Sequence, residues 1–477
     1  MTAAGRPSPN RTARWRSAAL LLVALVPCVA AASQPLPAPD CTVDARLTEA
    51  DGLRVSVHYG CRTTGPLSFE ATDPRTAPHV RGLQVRHAAG EAEADYVIDL
   101  GALATAEGSG YAVARDGGVL AELGAWLLEP RGFDRLPTID IRVAASPGLT
   151  FASGLVAAGD AWRLAGSSVG QAGYTALGRF AYREVAVPAP GSLRPGTPPA
   201  TASLRIALLP GVATPRQEAV FDWVVRTALA QAAFWQGFTV DRVLVGLVPD
   251  ARSGMGPGRA QSGGGATVAV AIDRQPDVRR LFDSWVLTHE LIHTAMPYLR
   301  PRGHWMMEGA ATYLEPVIHA RAGWKTEEDV WREWVDEMPR GVAAFARGLG
   351  TTTGRETYWA GALFMLMADL ALRRETDGAK GLEDCLGAVL WGGVGATDRM
   401  TVAAYAGAAD RACANKVLSG LVDRYANRGE AVDLGRLWQD LGVERRGDRI
   451  VFDDQAPLAR WRRMIVRPGP VSFPYRP

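Results

Sequence analysis

Hydrophobic and polar positions alternate along the first part of the chain. Leu53, Val55, Val57 and Tyr59 fall on one side and Arg54, Ser56 and His58 on the other, the period-two pattern of a half-buried strand. Ile139, Ile141 and Val143 alternate with Asp140 and Arg142 in the same way, and Gly and Pro punctuate the runs between. This predicts a β-sandwich-like domain over residues 34–187. A stretch rich in Pro, Gly, Ser and Thr, residues 188–203, reads as a linker. After it, residues 204–209, 243–248 and 266–272 read as strands. A helix reaching Trp235 is predicted to start at Thr214-Pro215-Arg216-Gln217, a capping box with Pro at the first helical position. From Asp277 onward helical periodicity dominates, and residues 401–477 read as a helical C-terminal region. The expected class is α+β.

Composition narrows the function classes. Of 477 residues, 47% are hydrophobic and 21% charged, which supplies a sizeable core and excludes a disordered chain or a collagen-like fibre. The 52 basic residues are matched by 50 acidic ones for a net charge of +2, so no nucleic-acid partner is expected.

Residues 1–33 have the layout of a secretory signal. Arg6, Arg11, Arg14 and Arg16 precede an apolar stretch at 18–26, and Ala30, Ala31 and Ala32 offer a small-residue cleavage site. The stretch is short for a span, which needs about 20 residues; the alternative is an uncleaved N-terminal anchor. No membrane span is expected beyond it, because Asp369 interrupts the best later candidate, 360–372. The expected location is the periplasm or the exterior. Cys41, Cys61, Cys385 and Cys413 then remain, an even number suited to disulfides. Proximity suggests Cys41–Cys61 and Cys385–Cys413, although spacing alone does not fix the pairing.

The chemistry concentrates in Thr288-His289-Glu290-Leu291-Ile292-His293. Histidines four apart share one helix face, so their imidazoles can converge on one ion. Glu290, offset by about 100° from His289, lies beside that ion, where it can take a proton from a water. This is the HExxH pattern of zinc peptidases. A catalytic zinc takes three protein ligands and keeps an open position. The third candidate is Glu308, in Trp305-Met306-Met307-Glu308-Gly309, on a second helix. The competitors are His304, whose spacing does not fit HExxHxxGxxH, and Glu315, on another helix face. Thr312, one turn beyond Glu308, is placed to hydrogen-bond a ligating imidazole.

His289-Glu290-xx-His293 with Trp305-xx-Glu308-Gly309 resembles the gluzincin metallopeptidases. With Tyr358-Trp359-Ala360-Gly361-Ala362-Leu363 added, the chain is most similar to the glycyl aminopeptidase family. The resemblance covers roughly residues 204–400. It implies a thermolysin-like catalytic domain, one zinc per chain held by His289, His293 and Glu308, Glu290 as general base, and Tyr358 as donor to the oxyanion. The other reading of Tyr358 is a core aromatic on a helix running through Leu363, Leu366 and Leu370. The family's glycine-rich strand ends in an acid that grips the substrate's free amine. Here Gly263-Gly264-Gly265 leads into a strand without Asp or Glu before Asp273. The expected activity is therefore zinc-dependent hydrolysis of a peptide or protein substrate, with aminopeptidase and endopeptidase both open. The alternative is a non-catalytic envelope protein that binds peptide or a partner and carries a structural or degenerate zinc site. Oligomeric state is not encoded in any motif.

Overall fold

The computed structural model describes residues 37–49, 52–108, 110–250 and 258–467; the candidate signal, 1–33, lies outside them. Strand Cys41–Thr48 pairs with Arg54–Arg62 so that Val43, Ala45 and Leu47 stand opposite Tyr59, Val57 and Val55 on a buried face. These two strands are central to a seven-stranded sheet. Its order is Val156–Ala158, Ala161–Leu164, Ile139–Ala145, Cys41–Thr48, Arg54–Arg62, Glu91–Asp99, Val80–Ala88. A four-stranded sheet, Thr150–Ser153, Tyr174–Gly178, Gly118–Glu122 and Ala112–Arg115, shares its core, in which Trp126 is fully buried. Cys41 and Cys61, in register across the first pair, are disulfide-bonded.

A five-stranded sheet follows in the order Ala181–Pro188, Thr201–Leu208, Arg242–Asp250, Ala266–Asp273, Gly258–Gln261. Its first two strands are antiparallel, with Pro188 opposite Thr201, so the Pro-rich residues 189–200 close a hairpin. The three inner strands are parallel and read as near-continuous apolar runs because both faces are covered. Ile206, Val245 and Val268 pack on Val220, Val224 and Ala228 of helix Thr214–Trp235. Ala207, Leu244 and Val248 meet Val113, Leu120 and Ala176 of the four-stranded sheet. Gly246 permits that approach, since a Cβ there would lie 2.5 Å from Leu120 Cδ1. The capping box expected at Thr214 is not formed. Arg216 N donates to Ala213 O, so the helix starts one residue earlier, and the Gln217 amide donates instead to Val212 O at 2.9 Å.

The remainder is mostly helical, built around the crossing of His304–Arg321 with Gly354–Glu375. Glu327–Glu337, Leu382–Trp391 and Val402–Cys413 pack around that pair, and the Cys385–Cys413 disulfide joins the last two. The C-terminal region is not purely helical. Val443–Arg446 and Arg449–Phe452 form a hairpin about Gly447-Asp448, with Gly447 at φ 61° in the left-handed region that glycine tolerates. Among the described residues no helix is long and apolar enough to cross a membrane. The fold is α+β.

Candidate metal centre

Helix Val286–His293 lies directly beneath the sheet's edge strand. A Cβ on Gly258 would fall 2.5 Å from Glu290 Cγ and 2.7 Å from Val286 Cγ1, so only glycine lets the strand come this close. The helix stops at His293, and Thr294 Oγ1 donates to Leu291 O at 2.6 Å, shortening the helix expected to reach Pro297. One turn apart, the His289 and His293 rings stand 5.0 Å centre to centre. Glu308, in the first turns of His304–Arg321, faces both. Its Oε2 is 3.1 Å from His289 Nε2 and 3.6 Å from His293 Nε2. The donor atoms of these three residues lie within 4.8 Å of one another, and among the described residues they form the one such group of three.

The two competing ligands fall outside this group of three. His304 is exposed, with Nδ1 3.6 Å from Glu308 Oε1, on the opposite carboxylate oxygen from the histidine pair. Glu315 is buried further along the helix with His319 at 3.0 Å and Lys325 at 3.3 Å. His319 Nε2 also meets Thr288 Oγ1 at 2.8 Å, and the Gln231 amide donates to Thr288 O, so buried polar contacts brace the helix on its far side. Thr312 does not reach an imidazole: its Oγ1 and His293 Nδ1 are both buried without a hydrogen-bond partner. Tyr358, on Gly354–Glu375, stacks on the His289 ring at 6.0 Å with 27° between planes.

Burial and mutual charge set the protonation of this group. Burial pushes His289 down to about 4, which keeps its imidazole neutral and able to ligate. Burial also opposes charge on His293, but the carboxylates of Glu308 and Glu290 outweigh it and raise the group. Glu308 loses solvation too, yet the two imidazoles hold it well below the usual carboxylate range. Glu290 is pushed up to about 6, chiefly by burial. Burial, with Glu308 and Glu290 nearby, pushes Tyr358 up to about 12.

These residues line one cleft of about 560 Å³. Its walls come from segments far apart in sequence: Gly170 and Gln171 of the β-rich part, 258–263 of the edge strand and its turn, Arg300, and Arg399. The strand at the cleft is thus Gly258–Gln261, while Gly263-Gly264-Gly265 forms the turn into the inner strand Ala266–Asp273. Where Gly263 and Gly265 sit, a Cβ would lie 2.2 Å from Gln171 O and from Gly154 O, so the run seats the sheet against the β-rich part. No acid stands on the edge strand; Gln261 does, and its amide donates to Glu122 Oε1 at 2.9 Å. Arg259, Arg300, Arg399 and Gln171 escape sequence reasoning because no local spacing marks residues that only tertiary structure assembles.

No protein-family model and no curated protein matches the chain. Among solved structures it is similar to Legionella pneumophila aminopeptidase A in complex with aspartic acid, with a TM-score of 0.48 and 11% sequence identity. The match covers 82% of this chain and 50% of that one, so this chain spans about half the length of that structure.

Proposed function

We propose that the chain is an exported zinc-dependent peptidase with a thermolysin-like, gluzincin-type catalytic half. The observation that carries this reading is the convergence of His289, His293 and Glu308 beside Glu290 and Tyr358 in one cleft. Two imidazoles and a carboxylate are the donor set of many catalytic zinc sites. A neutral His289 and an ionised Glu308 are in the states that ligation requires. His289, His293 and Glu308 would hold the ion. When bound, zinc supplies Lewis acidity that makes water a nucleophile near neutral pH and polarises a carbonyl.

The chain's own residues do the rest. Glu290, with its carboxyl near 6, takes a proton from the attacking water and passes it to the leaving amine. Tyr358 keeps its proton at neutral pH and donates to the carbonyl oxygen as charge builds there. The edge strand Gly258–Gln261 offers backbone groups to an extended peptide. Two disulfides suit an oxidising compartment, in keeping with export.

Metal analysis of the purified chain tests the site: about one zinc per wild-type chain is expected, lost in His293→Ala. Glu290→Gln keeps the zinc while peptide hydrolysis falls by about 10²–10⁴. A wild-type chain that stays empty in excess zinc, or a fully active Glu290→Gln, rejects the reading.

A further inference from the structure

The cleft is lined by three arginines that the chemistry above does not use. Arg300 flanks the short strand Tyr298–Leu299 and Arg399 opens Arg399–Met400; these two strands are parallel, with Arg300 N donating to Met400 O. The pairing brings Arg300 and Arg399 together in the lining of the cleft. Both side chains are exposed, and neither has an acidic partner among the described residues. Arg399 donates to the neutral Gln171 amide, and Arg300 lies over the Tyr298 ring at 5.7 Å. Arg259 enters from the edge strand, 3.5 Å from Glu122 and 57% exposed. Beyond Glu290 and Glu308, the cleft's acid is Asp398, whose carboxylate accepts Gly395 N at 2.9 Å and so caps its own turn. Three cations from separate segments thus face a cavity whose spare negative charge is tied up. Guanidinium groups in such a concave site attract anions from a distance and grip carboxylates with paired N–H donors.

We propose that Arg300 and Arg399, with Arg259 across the cleft, form a carboxylate-recognition site, so that the preferred substrates are peptides bearing a carboxylate close to the cleaved bond. The inference rests on the peptidase reading and narrows it. The carboxylate has two possible sources, an acidic side chain or the peptide's C-terminus, and the arms of the test separate them.

The probe is an octapeptide set in which Glu replaces Gln one position at a time. Each is made with a free and with an acetylated N-terminus and with a free or an amidated C-terminus, so that an aminopeptidase and an endopeptidase are both read. At one position at least, Glu is expected to exceed Gln in kcat/KM by about tenfold or more, as for a charge-assisted hydrogen bond. A preference appearing only between free acid and amide identifies the C-terminal carboxylate instead. In Arg300→Gln and Arg399→Gln the ratio falls toward one; Arg259→Gln serves as a further variant on another element. Calorimetry of the same peptides on zinc-loaded Glu290→Gln reads binding without turnover. Carboxylate-selective binding with no hydrolysis by wild type would remove the peptidase reading and keep this inference. Hydrolysis or binding indifferent to carboxylates, or a preference unchanged in all three variants, overturns the inference.

Discussion

Gly361 lies backbone to backbone against Gly309 where the helices Gly354–Glu375 and His304–Arg321 cross. A Cβ on Gly361 would stand 2.6 Å from Gly309 Cα and 2.1 Å from the Trp305 carbonyl oxygen. The neighbours of these glycines are Glu308, one residue before Gly309, and Tyr358, one turn before Gly361. The close crossing therefore fixes how far the candidate ligand and the candidate oxyanion donor stand from the histidine pair.

Gly361→Ala forces the two helices apart. Overpacking of this kind costs about 1–3 kcal/mol, and it shifts Glu308 and Tyr358 together. A lowered melting temperature and weaker zinc binding by calorimetry are expected. Gly420→Ala, with nothing within 4 Å of the added methyl, serves as the control. Zinc affinity equal to wild type in Gly361→Ala would refute the link between the crossing and the site.

Tyr358→Phe keeps the ring that stacks on His289 and removes only the hydroxyl. Loss of one oxyanion donor is expected to lower kcat by about 10²–10³ with KM little changed. An unchanged kcat would make Tyr358 a packing residue, the other reading of its helix.

Away from the metal centre, Glu383 should contribute acid sensitivity. It accepts from Arg321 at 2.6 Å and from Arg373 at 2.9 Å, beside Asp369, whose carboxyl burial raises. Burial works against ionising Glu383, but Arg321 and Arg373 prevail and bring it down to about 2. Its ordinary value is 4.5. The folded value is the lower one, so the stabilisation is complete above about pH 4.5 and is lost as pH falls toward 2. Glu383→Gln should cost about 3–5 kcal/mol at pH 7, as when one partner of a buried pair is removed. The gap to wild type should narrow between pH 4.5 and 2 in denaturant titrations. A gap independent of pH would show that Glu383 contributes through packing alone.

How much was legible follows from how local each feature is. Two histidines one turn apart are a property of one helix, and the inner parallel strands announce themselves as apolar runs. Strand Gly258–Gln261 reads as nothing in particular: Gly-Arg-Ala-Gln has no alternation, and its place is fixed by pairing with residues 267–270. Ala181–Pro188 looks like a last strand of the β-rich part, yet it pairs with Thr201–Leu208 across a Pro-rich hairpin. The meeting of Arg259, Arg300 and Arg399 depends on three turns whose geometry no single segment carries.

The contact of Leu120 with Gly246 also bears on whether either half could stand alone. Val113, Leu120, Ala152 and Tyr174 are buried against Ala207, Leu244 and Val248, so the apolar outer face of the four-stranded sheet is covered by strands that follow residue 200. A fragment ending near residue 178 would expose that apolar face to water, and one begun after residue 200 would bare the complementary face. The β-rich half is thus no detachable accessory: Gly170 and Gln171 form part of the cleft wall, and a chain without them would have a cleft open on that side.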